Sequence, residues 1–157
     1  MDFETLLGAP DALPVQVGLI GSGEFGVSLV GQARASGRLR VAALCDLDTD
    51  RALDACRRAG LSDDAVQVCT GRAESLRAFE SGRHVIVEDA QLLVELPLDV
   101  VVEATGNPQA AASNACAAIE AGKHLVMVKN LDMICLPPSC LLTRHRSAPS
   151  AHPHEYW

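Results

Sequence analysis

Val15-Gln16-Val17-Gly18-Leu19-Ile20-Gly21-Ser22-Gly23-Glu24-Phe25-Gly26 is a short apolar run that ends in glycines spaced G-x-G-x-x-G. A helical pattern follows at once. About 20 residues past the third glycine, a second apolar run, Val41 to Cys45, ends in Asp46. Strand, glycine turn, helix, strand and acid together form the dinucleotide-binding fingerprint in its proper context. Gly21 allows the tight turn out of the strand. Gly23 lets the backbone approach a pyrophosphate, and Gly26 lets the helix pack close to the strand. The N–H groups at Ser22, Glu24 and Phe25 surround that turn, where the helix dipole favours negative charge. Asp46 can accept both hydroxyls of an adenine-side ribose. A glycine-rich turn that only packs would leave the acid at the end of the next strand unexplained.

The chain of 157 residues is long enough for one domain with a real core and short for a two-domain dehydrogenase. Its 48% hydrophobic content is that of a globular protein. A net charge of -7 argues against nucleic acid, because a phosphate-binding surface needs a basic stripe. No apolar run approaches the roughly 20 residues that span a bilayer. The acidic start, Met1-Asp2-Phe3-Glu4, lacks the pattern of a secretion signal, so a cytoplasmic location is expected. None of the six cysteines forms C-x-x-C, and all are expected to be reduced. Cys135, Cys140, His145, His152 and His154 are too loosely spaced for a zinc site, and no metal is expected. The spacing of serines and histidines suggests no catalytic triad either.

Along the chain, residues 1–13 read as a lead-in with Gly8 and Pro10. Strands are expected at Val15 to Ile20, Val41 to Cys45, Val66 to Cys69, His84 to Val87, Leu98 to Ala104 and Leu125 to Val128. The first helix starts near Glu24 with Phe25, Leu29 and Ala33 on one face, and Gly37 ends it. Asp48 or Thr49 caps a second helix that buries Leu53 and Cys56. A third runs from Glu74 to Glu80 with Leu76 and Phe79 inward, and Asp89 caps a fourth. Asn107, followed by Pro108, caps an alanine-rich helix that Gly122 closes. This alternation predicts an α/β fold: a single Rossmann-type domain over 14–130, with a doubly wound parallel sheet and the first strand central. Residues 131–157 lose all periodicity and read as an irregular, disordered tail, as truncation or a shifted reading frame would leave.

Val101-Val102-Glu103-Ala104-Thr105-Gly106 and Gly122-Lys123-His124-Leu125-Val126-Met127-Val128-Lys129 complete the pattern. With the glycine motif, they resemble the cofactor domain of homoserine dehydrogenases and, more widely, oxidoreductases of the Gfo/Idh/MocA type. The resemblance covers roughly residues 14 to 130, most of the chain. It implies a Rossmann domain that binds NAD or NADP, normally followed by a substrate domain that residues 131–157 are too few to make. In Gfo/Idh/MocA enzymes a lysine at the end of this strand assists hydride and proton transfer. Lys129 falls at the matching step, with Val128 and Asn130 in place of the usual Glu and Pro. In homoserine dehydrogenases the lysine stands one position later, at Asn130 here. A methyltransferase shares the first turn only, because the chain past Asp46 follows the dehydrogenase pattern.

Read as chemistry, Lys129 is either a general acid that polarises a substrate oxygen or a solvated strand-end lysine. Lys123, beside a helix C-terminus, suits a structural place. Thr105 and Gly106 end a strand that lies under the nicotinamide half of a cofactor, or they simply connect to the next helix. No arginine adjoins Asp46 in sequence to hold a 2′-phosphate, the nearest being Arg51, so NAD is preferred over NADP. Two functions follow. One is the NAD(P)-binding domain of an oxidoreductase acting on a small alcohol or carbonyl. The other is an NAD(H)-binding module without turnover. The substrate class is a small molecule, and the oligomeric state is open.

Overall fold

Among the described residues, hydrogen bonding produces six parallel strands: β1 (Val15–Ile20), β2 (Leu39–Cys45), β3 (Val66–Val68), β4 (His84–Val87), β5 (Val100–Glu103) and β6 (His124–Met127). They lie in the order β3-β4-β2-β1-β5-β6, every neighbouring pair parallel, so β1 is interior as expected. Five α-helices, and a short 3-10 turn at Asp63–Ala65, connect these strands: α1 (Glu24–Ser36), α2 (Thr49–Arg58), α3 (Arg72–Glu80), α4 (Ala90–Val94) and α5 (Pro108–Glu120). This computed structural model describes residues 13–128. Most of the lead-in, the tail, and Lys129, Cys135, Cys140, His145, His152 and His154 lie outside them.

Apolar side chains alternate across the sheet and are covered on both faces. Val17, Leu19, Val41, Leu44, Ile86 and Val102 pack with Val30 and Ala33 of α1 and Ala52 and Cys56 of α2. Ile20, Ala43, Cys45, Val85, Val87 and Val101 face the other way, against Leu93 and Val94 of α4 and Ala117 and Ala118 of α5. Two-sided cover is why the strands read as continuous apolar runs rather than as half-polar ones. The strict period of two fails once. Val17 pairs with Val41 but Gly18 pairs with Ala43, so Ala42 is an extra residue in β2. That bulge turns Val41 and Leu44, three apart, to the same face.

Helix starts follow the local chemistry. The Asp48 side chain accepts from the Arg51 amide, Asp89 from Gln91, and Asn107 from Gln109 and Ala110. Asp48, rather than Thr49, is the cap of α2. The buried faces differ from the expected ones by about a residue, because small residues set the closest approach of each helix to the sheet. Helix α1 buries Gly26, Val30 and Ala33, while Phe25 is 46% exposed. Helix α2 buries Ala52, Ala55 and Cys56, with Leu53 only half-buried. Helix α3 buries Ser75 and Ala78, with Leu76 and Phe79 half-buried beside the core.

Cys45, Cys56 and Cys69 are free and buried, as expected of small apolar side chains. Cys116 corrects the expectation of a fully reduced chain: it is disulfide-bonded, a pairing that no C-x-x-C spacing announces. Lys123 takes a structural place, its ammonium donating to the Leu96 carbonyl at 2.9 Å. Among the described residues no helix is long and apolar enough to cross a membrane.

Close packing of α1 on β1 rests on the third motif glycine. A Cβ at Gly26 would stand 2.7 Å from the Gly21 carbonyl oxygen and 3.1 Å from Leu19 Cδ2. In an unobstructed helix, replacing glycine by alanine gains up to about 1 kcal/mol. Here the obstructing atom is backbone, so Gly26→Ala is expected to lower stability by about 1–3 kcal/mol, as overpacking does. Urea unfolding measures it, and a stabilised variant would show that α1 lifts off β1 without cost.

Candidate functional site

The glycine turn leaves β1 where only glycine fits. Gly21 has φ of 100°, in the left-handed region, and a Cβ there would meet the Ala104 carbonyl carbon and oxygen at 2.8 Å. The turn therefore runs against the end of β5, and its amide donates to the Cys45 carbonyl at the end of β2. Three strand ends meet there. Beside them opens a cleft of about 660 Å³ lined by Gly21, Asp46, Arg51, Glu88, Asp89 and Thr105, with Asn107, Ser113 and Asn114 of α5 on its far wall. This is the carboxyl edge of the sheet, where open α/β sheets bind ligands.

Asp46 is held by the chain itself. Its Oδ2 accepts from the Ser22 amide at 2.9 Å and the Ser22 hydroxyl at 2.5 Å, and its Oδ1 from the Asp48 amide at 3.1 Å. A carboxylate has about four acceptor positions. Three are filled, so one acceptor position remains open on Asp46. Ser22 is buried, and its amide is directed to Asp46. The turn is thereby tied to the end of β2.

Arg51, five residues further along the chain, is brought to Asp46: Nη2 lies 3.3 Å from Oδ2. Asp48 reverses the chain into α2 and puts residue 51 in the first turn, which is the signal by which the pairing could have been found. Burial pushes the Asp46 carboxyl up, but the Ser22 hydroxyl and amide, the Asp48 amide and Arg51 outweigh it and hold the group below the usual carboxylate range.

The remaining motif residues divide by role. Gly23 is the N-cap of α1 and offers no side-chain cap, unlike the first residues before α2, α4 and α5. A Cβ there would meet nothing within 4 Å. The space over the turn is open, and the amides of the first helical turn face it without a side chain between. That arrangement suits a pyrophosphate. Glu24, exposed, pairs with Arg58 of α2 at 3.0 Å, so its carboxylate has a cation partner at the helix start. Phe25 is exposed on the same turn.

At the end of β5, a residue outside the expected set takes a structural part. Glu103 is 2% exposed, and its Oε1 accepts from the Thr105 amide at 3.1 Å and the Thr105 hydroxyl at 2.5 Å. The Asn107 amide donates in turn to Thr105 Oγ1 at 3.3 Å. Thr105 is thus fixed at the cleft wall, and Gly106, with φ of 72°, turns the chain into α5. A buried acid in an apolar strand, two residues before a threonine, is the signal that could have marked this pair.

The acid limb of stability tests the Asp46 cluster. A carboxyl whose folded pKa lies below its unfolded value, about 3.9, stabilises the fold fully above that value and loses the contribution as pH falls through the folded one. Thermal stability of the native chain, read as the unfolding midpoint, is expected to fall as pH drops below about 4, and Asp46→Asn to flatten this limb. An unchanged acid limb in the variant would show that other carboxyls set it.

Known proteins share this fold. No curated protein sequence matches the chain significantly. Among solved structures, a dehydrogenase from Chromobacterium violaceum is 21% identical, with a TM-score of 0.61, 87% of this chain and 34% of that one covered. A 3-ketoreductase from Actinomadura kijaniata, solved with NADP, is 19% identical, with a TM-score of 0.57 and coverage of 85% and 35%. Scyllo-inositol dehydrogenase from Lactobacillus casei, solved with NAD(H) and scyllo-inositol, is 16% identical, with a TM-score of 0.51 and coverage of 73% and 27%. These likenesses establish the fold, and the chain spans between 27% and 35% of those proteins' lengths. The model of the family described as homoserine dehydrogenase, NAD binding domain, matches residues 17–131. With the glycine turn, the acid at the end of β2 and the cleft between them, the chain belongs to that family of NAD(P)-binding Rossmann domains of oxidoreductases.

Proposed function

We propose that this domain binds NAD(H) in preference to NADP(H) and serves an oxidoreductase acting on a small alcohol or carbonyl substrate. The observation that carries the reading is the open space over Gly23, beside a helix start without a side-chain cap and next to Asp46. In this reading the first-turn amides of α1, at Glu24 and Phe25, hold the pyrophosphate. The free acceptor position of Asp46 holds the adenine-side ribose. Thr105 and Gly106, braced through Glu103, lie under the nicotinamide half. Bound NAD(H) supplies the hydride. Lys129, at the step after β6, would hold the proton for the substrate oxygen. The reading includes a cytoplasmic setting.

Turnover needs the substrate carbon fixed near the nicotinamide, and such positioning carries roughly 7–11 kcal/mol of a typical barrier. The matched regions are 27% of the scyllo-inositol dehydrogenase and 35% of the ketoreductase, so the site for substrate is proposed at the level of the whole protein. Nicotinamide absorbance, followed while small alcohols, sugars and amino-acid semialdehydes are offered, separates the two functions. Turnover lost in Lys129→Ala supports the oxidoreductase reading with Lys129 as acid. NADH binding with no turnover selects a binding module.

Two substitutions test the cofactor reading. Titration by nucleotide fluorescence is expected to give tighter binding of NADH than of NADPH, with Asp46→Ala narrowing the difference. Gly23→Ala, whose backbone φ of -68° accepts any residue, is expected to leave the unfolding midpoint unchanged while weakening NADH at least tenfold, about 1.4 kcal/mol. Undiminished NADH binding in that variant would remove the pyrophosphate from the glycine turn.

A further inference from the structure

The amino edge of the sheet, opposite the cleft, carries a second cavity of about 220 Å³, roughly the liquid volume of seven waters. Its floor is apolar: Val30, Ala33 and Val41 belong to the layer under α1, and Leu61, just past α2, packs beside them. Its charged lining is wholly basic, from Arg34 of α1, Arg40 of β2 and His84, the first residue of β4. Among the described residues that line it there is no carboxylate, whereas Asp46, Asp48, Glu88 and Asp89 line the cleft at the other edge.

Two of the basic groups are held in place with part of their hydrogen-bonding capacity unspent. Arg34 Nη1 donates to the Gly60 carbonyl at 2.6 Å and the Ala59 carbonyl at 3.4 Å, so the cation closes the carboxyl end of α2. Gly60 has φ of 84°, and a Cβ there would collide with Arg34 Nη1, so this seat depends on glycine. Both partners are neutral, and among the described residues Nε and Nη2 of Arg34 have none. His84 Nδ1 lies 2.6 Å from the Val41 carbonyl. A carbonyl oxygen only accepts, so Nδ1 carries the proton and Nε2 keeps its lone pair. Burial, joined by the Arg40 and Arg34 charges, outweighs that hydrogen bond and holds the imidazole below its usual pKa, so the ring is uncharged at neutral pH. Arg40 itself is spent: its guanidinium donates to Gln16 Oε1 and to the Gly82 and Arg83 carbonyls, and it lies over the Phe79 ring.

We propose that this cavity is a second small-molecule site, for a hydroxy-carboxylate with a short branched apolar body. The inference stands apart from the cofactor reading, which concerns the other edge of the sheet. Each part of the ligand answers one part of the lining. The carboxylate accepts from the unpartnered N–H groups of Arg34, a charge-assisted pair. The hydroxyl donates to Nε2 of His84, the ring nitrogen that the Val41 carbonyl leaves open. The branched body covers Val30, Ala33 and Leu61 and takes their apolar surface out of water. A cationic ligand would meet three basic groups. A fully ionised anion such as sulfate would set acceptor against acceptor at Nε2. A ligand in this place joins α1 to β4 away from Gly21, so it stabilises the fold without meeting a cofactor.

Titration of the full chain with α-hydroxyisovalerate, followed by the imidazole proton resonance of His84 and by the unfolding midpoint, tests the site. Loss of the resonance in His84→Gln assigns it. A saturable shift with a raised midpoint is expected, with Kd on the order of millimolar. Isovalerate, which lacks the hydroxyl, is expected to bind roughly fivefold more weakly. Isoamyl alcohol, which lacks the carboxylate, is expected to bind about tenfold more weakly, and Arg34→Gln to weaken the hydroxy acid by about as much. Because Arg34 also closes α2, Leu39→Glu is the second variant. Leu39 lines the cavity and is exposed, and a glutamate there supplies a resident carboxylate for Arg34 while leaving the Gly60 contact intact, so binding is expected to be lost. No saturable shift of His84 overturns the proposal, as does isoamyl alcohol binding as tightly as the hydroxy acid, which a plain apolar cavity would give. Equal affinity for isovalerate removes His84 from the site and overturns the hydroxy-acid assignment. Undiminished binding in Leu39→Glu places the ligand elsewhere and overturns it too. Far-ultraviolet circular dichroism confirms that each variant is folded before its affinity is compared.

Discussion

The carboxyl edge of the sheet depends on one backbone contact that only glycine permits. Gly21 takes φ of 100° within van der Waals reach of the Ala104 carbonyl, and any side chain there would enter the β5 backbone at 2.8 Å. The contact sets the distance between the ends of β1 and β5. It also aims the turn so that the Gly21 amide reaches Cys45, the Ser22 amide reaches Asp46, and the Gly21 carbonyl meets α1 at Gly26. Lengthening that distance by one methyl group would disconnect three strand ends at once.

Around this contact, the polar groups at the strand ends are largely satisfied by each other. Ser22, Asp46, Asp48 and Arg51 form one cluster; Glu103, Thr105 and Asn107 form another. The buried Ser22 and Glu103 would each cost about 1–3 kcal/mol if left without partners. Their hydrogen bonds therefore fix the turns as firmly as apolar packing fixes the helices. The cleft between the clusters is left with open acceptors at the carboxyl edge of the sheet, where open α/β sheets bind ligands.

The apolar layers hold this edge in place from below. Val17 and Leu19 point to one face and Ile20 to the other, so β1 anchors both cores while its last residue feeds the turn. Small residues, Ala52, Ala78, Ala115 and Ala118 among them, bring the helices close to the sheet. Larger neighbours such as Phe25, Leu53 and Phe79 are left partly in solvent, because helix placement is set by the smallest residues and not by the most apolar ones.

The linear chain by itself determined the alternation of strands and helices, the caps at Asp89 and Asn107, the interior place of β1 and the glycine turn. All of these are written in nearest-neighbour chemistry: period, caps, and φ values that only glycine adopts freely. The family matched over residues 17–131 was legible for the same reason, since its motifs are local. Only the tertiary structure decided what lies across gaps in the chain. The Ala42 bulge shifts which face β2 presents, Cys116 is disulfide-bonded, and Glu103 turns back on Thr105. Above all, Asp46 meets Ser22, 24 residues away, and Arg51, so its acceptors are mostly filled before any ligand arrives. Hydrogen-bond capacity is counted between atoms brought together by folding, and no spacing along the sequence carries that count.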